Sequence, residues 1–131
     1  MHLVWFRSDL RLVDNSALIA AMASNGPVMA CYVYSTNHMD SHRWSGRKRA
    51  FVRHNLQALA LTLAQHGIKL SLIQSNSIVK QWQDVLKFAQ DHQVENVYLN
   101  DEYGVHEQTR DRQFAQALAQ SDIECHRFSD K

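Results

Sequence analysis

Short apolar runs alternate along this chain with longer segments in which apolar residues return every three or four positions. The first pattern marks a strand buried on both faces, the second a helix with one buried stripe. Leu3, Val4, Trp5 and Phe6 open the chain as an expected strand. Asp14 and Asn15 precede an apolar segment over 17–22, and either side chain can accept a hydrogen bond from the first helical turn, so a helix N-cap is predicted there. Asn25-Gly26-Pro27 stops that helix. Residues 28–34 are rich in β-branched and aromatic side chains and predict the second strand. A polar loop over 35–44 leads into a long helix over 45–66, with Leu56, Leu59, Ala60 and Leu63 on one stripe and Gly67 at its C′ position. Strands are then predicted over 68–73, 94–99 and 123–128. Between them lie a helix marked by Ile78, Trp82, Val85, Leu86 and Ala89, and another over 106–120.

The predicted order is βαβαβαβαβ. Such alternation with short connections builds one parallel sheet with helices on both faces. The expected architecture is therefore a single α/β domain over 1–131, an open Rossmann-like sheet whose strand order periodicity does not set. No internal repeat, linker or low-complexity segment interrupts it. The sequence stops at Lys131 just after the last strand, as expected of a domain cut from a longer protein.

Composition narrows the function. Hydrophobic residues make up 45% and charged residues 21% of the chain, an ordinary globular balance. Fourteen basic residues face thirteen acidic ones, for a net charge of +1. That balance carries no electrostatic footprint for nucleic acid, so any DNA contact must come from a local patch or another domain. Cys31 and Cys125 lie far apart in apparent strands, with no C-x-x-C spacing. They predict two buried reduced thiols rather than a disulfide or zinc site. The eight histidines are scattered; His38 and His42 are four apart, but with no clear third ligand they do not make a metal site. Charge follows the first strand at once, which does not suit a signal peptide, and no apolar stretch nears the roughly 20 residues that span a bilayer. A cytoplasmic monomer with no membrane partner is expected.

An open parallel sheet binds ligands at the carboxyl ends of its strands. The four glycines, Gly26, Gly46, Gly67 and Gly104, form neither G-x-G-x-x-G nor a Walker A loop, and no G-x-S-x-G elbow is present. The loop after the first strand reads Trp5-Phe6-Arg7-Ser8-Asp9-Leu10-Arg11-Leu12-Val13-Asp14-Asn15. Its charges alternate, and Arg7, Asp9, Arg11 and Asp14 can neutralise one another and pin the loop at the sheet's edge. Direct ligand contact is the alternative role. As W-F-R-x-D-L-R-L-x-D-N, this stretch resembles the opening motif of the DNA photolyase/cryptochrome family. The strand and helix pattern of the whole chain resembles that family's N-terminal domain, closest to folate-type class I cyclobutane pyrimidine dimer photolyases. The resemblance implies a sheet order of 3-2-1-4-5. It also favours the structural role for Arg7, Asp9, Arg11, Asp14 and Asn15, because in the family this loop packs near the following domain.

The same resemblance implies an antenna site. His42, in Ser41-His42-Arg43-Trp44-Ser45-Gly46-Arg47, falls near a histidine that helps hold methenyltetrahydrofolate in folate-type photolyases. Without the resemblance it is a solvent-exposed loop histidine. Glu107 lies in a segment resembling the family's Y-x-x-x-x-x-E-x-x-R-D and matches a carboxylate that binds the pterin's amino-pyrimidine edge. A carboxylate suits that edge because its two oxygens accept from two adjacent N–H donors. An acid in a first helical turn is also favoured by the macrodipole alone. His106 stands where some folate-binding relatives carry asparagine; an imidazole cannot copy both ends of an amide. Arg43, Arg47, Lys48, Arg49 and Arg53 make a basic run at the start of the long helix, a solvated face or a contact for the folate's glutamate tail.

Three functions follow as expectations. In the first, the chain is the antenna domain of a photolyase, an enzyme that repairs cyclobutane pyrimidine dimers by light-driven electron transfer from reduced FAD. FAD, the catalytic residues and the groove for UV-damaged DNA would then belong to a C-terminal helical domain absent from this chain. In the second, the parent is a cryptochrome photoreceptor, which signals rather than repairs. In the third, the chain is a stand-alone nucleotide-binding α/β protein resembling universal stress proteins, against which the missing phosphate loop counts.

Overall fold

A computed structural model of the chain describes residues 1–7, 15–34, 46–75, 81–101 and 105–128, with the side chains of 46–49 and 105–107 outside the description. The elements are β1 (His2–Phe6), α1 (Ser16–Ala23), β2 (Val28–Tyr34), α2 (Gly46–Gln65), β3 (Leu70–Gln74), α3 (Gln81–Asp91), β4 (Asn96–Asn100), α4 (Val105–Gln120) and β5 (Glu124–Phe128). All strand pairs are parallel and the order is β3-β2-β1-β4-β5. The order reverses beside β1, so the carboxyl ends of β1 and β4 flank the switch point where open sheets of this type take ligands.

β1 shows why the sheet needs cover on both sides. Its five residues are all buried, and successive side chains enter opposite layers. Leu3 and Trp5 join Cys31, Val33, Val97 and Leu99 beneath Val85 and Ala89 of α3 and Phe114 and Leu118 of α4. Val4 and Phe6 join Ala30 and Tyr98 beneath Ala17, Leu18 and Ala21 of α1 and Leu59 and Leu63 of α2. The helices thus divide by pairs between the two faces, as the alternating pattern predicted.

The element order and the element limits match expectation to within a few residues. The starts of β3, β4 and β5 each fall one or two residues later than expected, and all three for one reason. Helices α2, α3 and α4 each end in a residue with positive φ: Gly67 (75°), Gln93 (55°) and Asp122 (59°). The next N–H then bonds back to the carbonyl five residues earlier, Ile68 to Leu63, Val94 to Ala89 and Ile123 to Leu118, each at 2.9 Å. This is the Schellman turn, in which the apolar residue after the left-handed one packs on the helix's last turn. Ile68, Val94 and Ile123 are buried, but they close helices rather than begin strands.

Candidate functional site

The carboxyl edge of β1 and β4 carries a buried polar network. Arg7 is the first residue past β1, and its side chain is only 6% exposed. Its Nη1 donates to Asp111 Oδ1 at 2.5 Å, and its Nη2 donates to the carbonyl of Asn100, the last residue of β4. Asp111 is fully buried and also accepts from Arg110 Nε at 3.2 Å. Both guanidinium groups lie against the Trp5 ring, with their central carbons 5.1 and 5.4 Å from its centroid. Phe114 meets the same ring edge-on at 5.0 Å. A cation over an indole face is attracted by the ring's quadrupole, so Trp5 offsets part of the cost of burying charge here.

The network continues through two amides. Asn15 caps α1: its Oδ1 accepts from Leu18 N at 3.0 Å and from Asn100 Nδ2 at 2.8 Å. Asn100 Oδ1 in turn accepts from Ala17 N at 3.1 Å. The Asn100 side chain thereby satisfies one donor in the first turn of α1 while its backbone carbonyl holds Arg7. Just beyond, Asp101 Oδ1 takes a hydrogen bond from Arg127 Nε at 2.8 Å, and Asp101 N donates to Phe128 O at 2.7 Å, tying β4 to β5. The carboxyl edge is held in one geometry by hydrogen bonds that span most of the chain.

Of the residues singled out by sequence, the structure brings Arg7 and Asn15 into this network. Asp9, Arg11, Asp14 and His42 lie outside the described residues. His106 and Glu107 fall in the first turn of α4, which begins at Val105, and their side chains are outside the description. Asn100 and Asp111 were given no role in the sequence analysis. A usable signal existed for Asp111: it stands three residues before Phe114 and seven before Leu118, so it places a charge on the buried stripe of a helix. An open groove of about 530 Å³ along Ala115, Ala119, Ile123 and Cys125 lies at the amino end of β5, away from this edge.

The family model described as DNA photolyase matches residues 2–131. The chain belongs to the DNA photolyase family. Deoxyribodipyrimidine photo-lyase of Escherichia coli (strain K12) is 34% identical over 98% of this chain and 27% of its own length. The class III photolyase of Agrobacterium tumefaciens superposes with a TM-score of 0.80 at 26% identity, over 98% of this chain and 25% of that one. A cryptochrome from Synechocystis sp. PCC6803 gives a TM-score of 0.84 at 25% identity, with 98% and 27% covered. The chain therefore spans about a quarter of the length of these members of the DNA photolyase family, and the doubly wound sheet is the fold it shares with them. No helix among the described residues is long and apolar enough to cross a membrane.

Proposed function

We propose that this chain is the antenna-chromophore-binding domain of a deoxyribodipyrimidine photolyase. The observation that carries the proposal is the 34% identity to a protein of that name over 98% of the chain, confined to 27% of the relative's length. The repair chemistry is then performed by the whole protein on UV-damaged DNA, with residues beyond this chain. FAD held by that other part supplies the light-driven electron that splits the dimer. This domain's task is to hold a second chromophore near the flavin and to scaffold the rest.

The proposed chromophore is methenyltetrahydrofolate, held by His42, His106 and Glu107. Helix α4 starts at Val105, five residues past the end of β4 at Asn100, which supports a site for His106 and Glu107 at the carboxyl edge. A carboxylate in the first turn of a helix is matched to paired N–H donors on a pterin and is favoured there by the helix dipole. Chemically the donor set fits the group. Glu107 binds the amino-pyrimidine edge, and His106 and His42 each offer one hydrogen bond.

The test is a titration of the full-length protein with methenyltetrahydrofolate, followed by near-UV absorbance. Glu107→Ala is expected to weaken binding strongly; normal binding by that variant would overturn the assignment. A second reading, a cryptochrome photoreceptor, is favoured by the likeness to the Synechocystis cryptochrome. Light-dependent repair of cyclobutane dimers in duplex DNA separates the two, and complete absence of repair would select the photoreceptor.

A further inference from the structure

We propose that Arg7 and Asp111 are positioning residues that set the rotation of helix α4 and so the place of the Glu107 backbone at the carboxyl edge. The inference rests on the antenna reading above and concerns how that site is held. Asp111, Phe114 and Leu118 are all fully buried and recur at helical spacing, so they define the face of α4 that meets the sheet. Leu118 packs without a bonding axis, and Phe114 meets Trp5 edge-on. Such packing resists rotation of the helix through shape, with no hydrogen bond of fixed direction. Asp111 differs. Its Oδ1 receives Arg7 Nη1 at 2.5 Å and Arg110 Nε at 3.2 Å. Its second oxygen, Oδ2, is buried with no hydrogen-bond partner among the described residues, so the restraint acts through one oxygen.

Arg7 is itself fixed from the other side. It donates to the Asn100 carbonyl, and its guanidinium lies over Trp5. Among the described residues, its attachments to the sheet and to α4 make it a rigid spacer between them. Glu107 is four residues before Asp111 on the same helix, one turn nearer the carboxyl edge. At that spacing a rotation about the helix axis moves both positions together. The pair therefore determines where the Glu107 backbone lies, without touching the ligand itself.

The experiment uses the full-length protein and methenyltetrahydrofolate, with affinity and the absorption maximum of the bound pterin as the two readouts. Asp111→Asn keeps the shape and loses the charge. It is expected to weaken binding at least about ten-fold, the usual scale for removing a group that supports a binding residue, and to shift the bound absorption maximum. Arg7→Lys, which keeps the charge but loses the fork, is expected to do the same more weakly and serves if Asp111→Asn fails to fold. Leu63→Ala, on the opposite face of the sheet, is the control: it lowers Tm but should leave affinity within about two-fold. Binding that depends on Glu107 yet is unchanged in both Asp111→Asn and Arg7→Lys would overturn the inference. So would an equal loss in Leu63→Ala, since the effect would then be general destabilisation. Normal binding by Glu107→Ala would instead remove the antenna reading beneath it.

Discussion

The two ends of the sheet are built by different means. At the amino end, α2, α3 and α4 turn into β3, β4 and β5 through three copies of one device: a left-handed residue, a backbone bond of 2.9 Å and an apolar residue folded onto the helix. Every partner lies within six residues. At the carboxyl end, Arg7 meets Asp111 across 104 residues, and Asn15 meets Asn100 across 85. The first kind of closure is local, repeats, and tolerates Gly, Gln or Asp at its key position. The second is a single connected set of buried polar groups in which each member satisfies another. Ligand chemistry in open α/β sheets belongs to the second end. Stability at a turn can be assembled piecemeal, whereas a site needs many segments held in one relation.

The contrast is best broken by removing a partner from each end. Asp111→Ala leaves Arg7 buried without its carboxylate and is expected to cost about 3–5 kcal/mol in urea unfolding. A loss below about 1 kcal/mol would mean that the pair contributes no more than a solvent-exposed ion pair. Asn100→Ala leaves the Ala17 N–H and the Asn15 amide short of a partner, and should cost about 1–3 kcal/mol in the same assay. Hydrogen exchange sharpens this second case: protection should fall in the first turn of α1 as well as at the end of β4, which a purely local effect would not produce.

Effects at the amino end are expected to be smaller. Gly67→Ala should cost about 1 kcal/mol, from backbone strain alone, because nothing lies within 4 Å of the added methyl group. Gln93→Gly, at the same turn position with φ 55°, should gain about 0.5 kcal/mol in thermal unfolding. If Gly67→Ala cost as much as Asp111→Ala, the distinction between the ends would fail.

The thiols give the weakest effect near neutral pH. Burial raises Cys125 from 9.0 to about 11 and pushes Cys31 higher still. A folded thiol that ionises later than an unfolded one stabilises the fold fully below the unfolded value. That stability declines as pH rises above about 9, through about 11 for Cys125. Chemical unfolding at pH 7, 8 and 10.5 should show almost no change over the first interval attributable to the thiols and a fall over the second. Iodoacetamide at pH 8 should label Cys31 only on denaturation.

Much of the fold was legible because its signals are local. Periodicity gave the number and order of elements, Asn15 was one of two N-cap candidates and does cap α1, and Gly67 closes α2 as its type predicted. The starts of β3, β4 and β5 lie one or two residues beyond the starts of the apolar runs because Ile68, Val94 and Ile123 resemble strand residues by hydrophobicity but close helices. Nothing in Gln93 or Asp122 announces a left-handed turn. The motif from Trp5 to Asn15 identified the family, and the family supplied the strand order that periodicity could not. For the site, the sequence analysis named Arg7 and Asn15 but paired the loop's charges with one another. The partners that the structure adds, Asn100 and Asp111, come from β4 and α4.

By itself, then, the sequence determined the α/β layering, the helix stripes and the family, since each depends on residues close together or on a contiguous motif; of the two thiols expected to be buried, Cys31 is, whereas Cys125 is only half-buried. Only the tertiary structure decided which polar groups meet at the carboxyl edge. Whether Arg7 is a surface cation or the centre of a buried network depends on where a helix 104 residues away delivers a carboxylate. No pattern along the chain encodes that distance; it follows from the crossover connections that bring β1, β4 and α4 side by side.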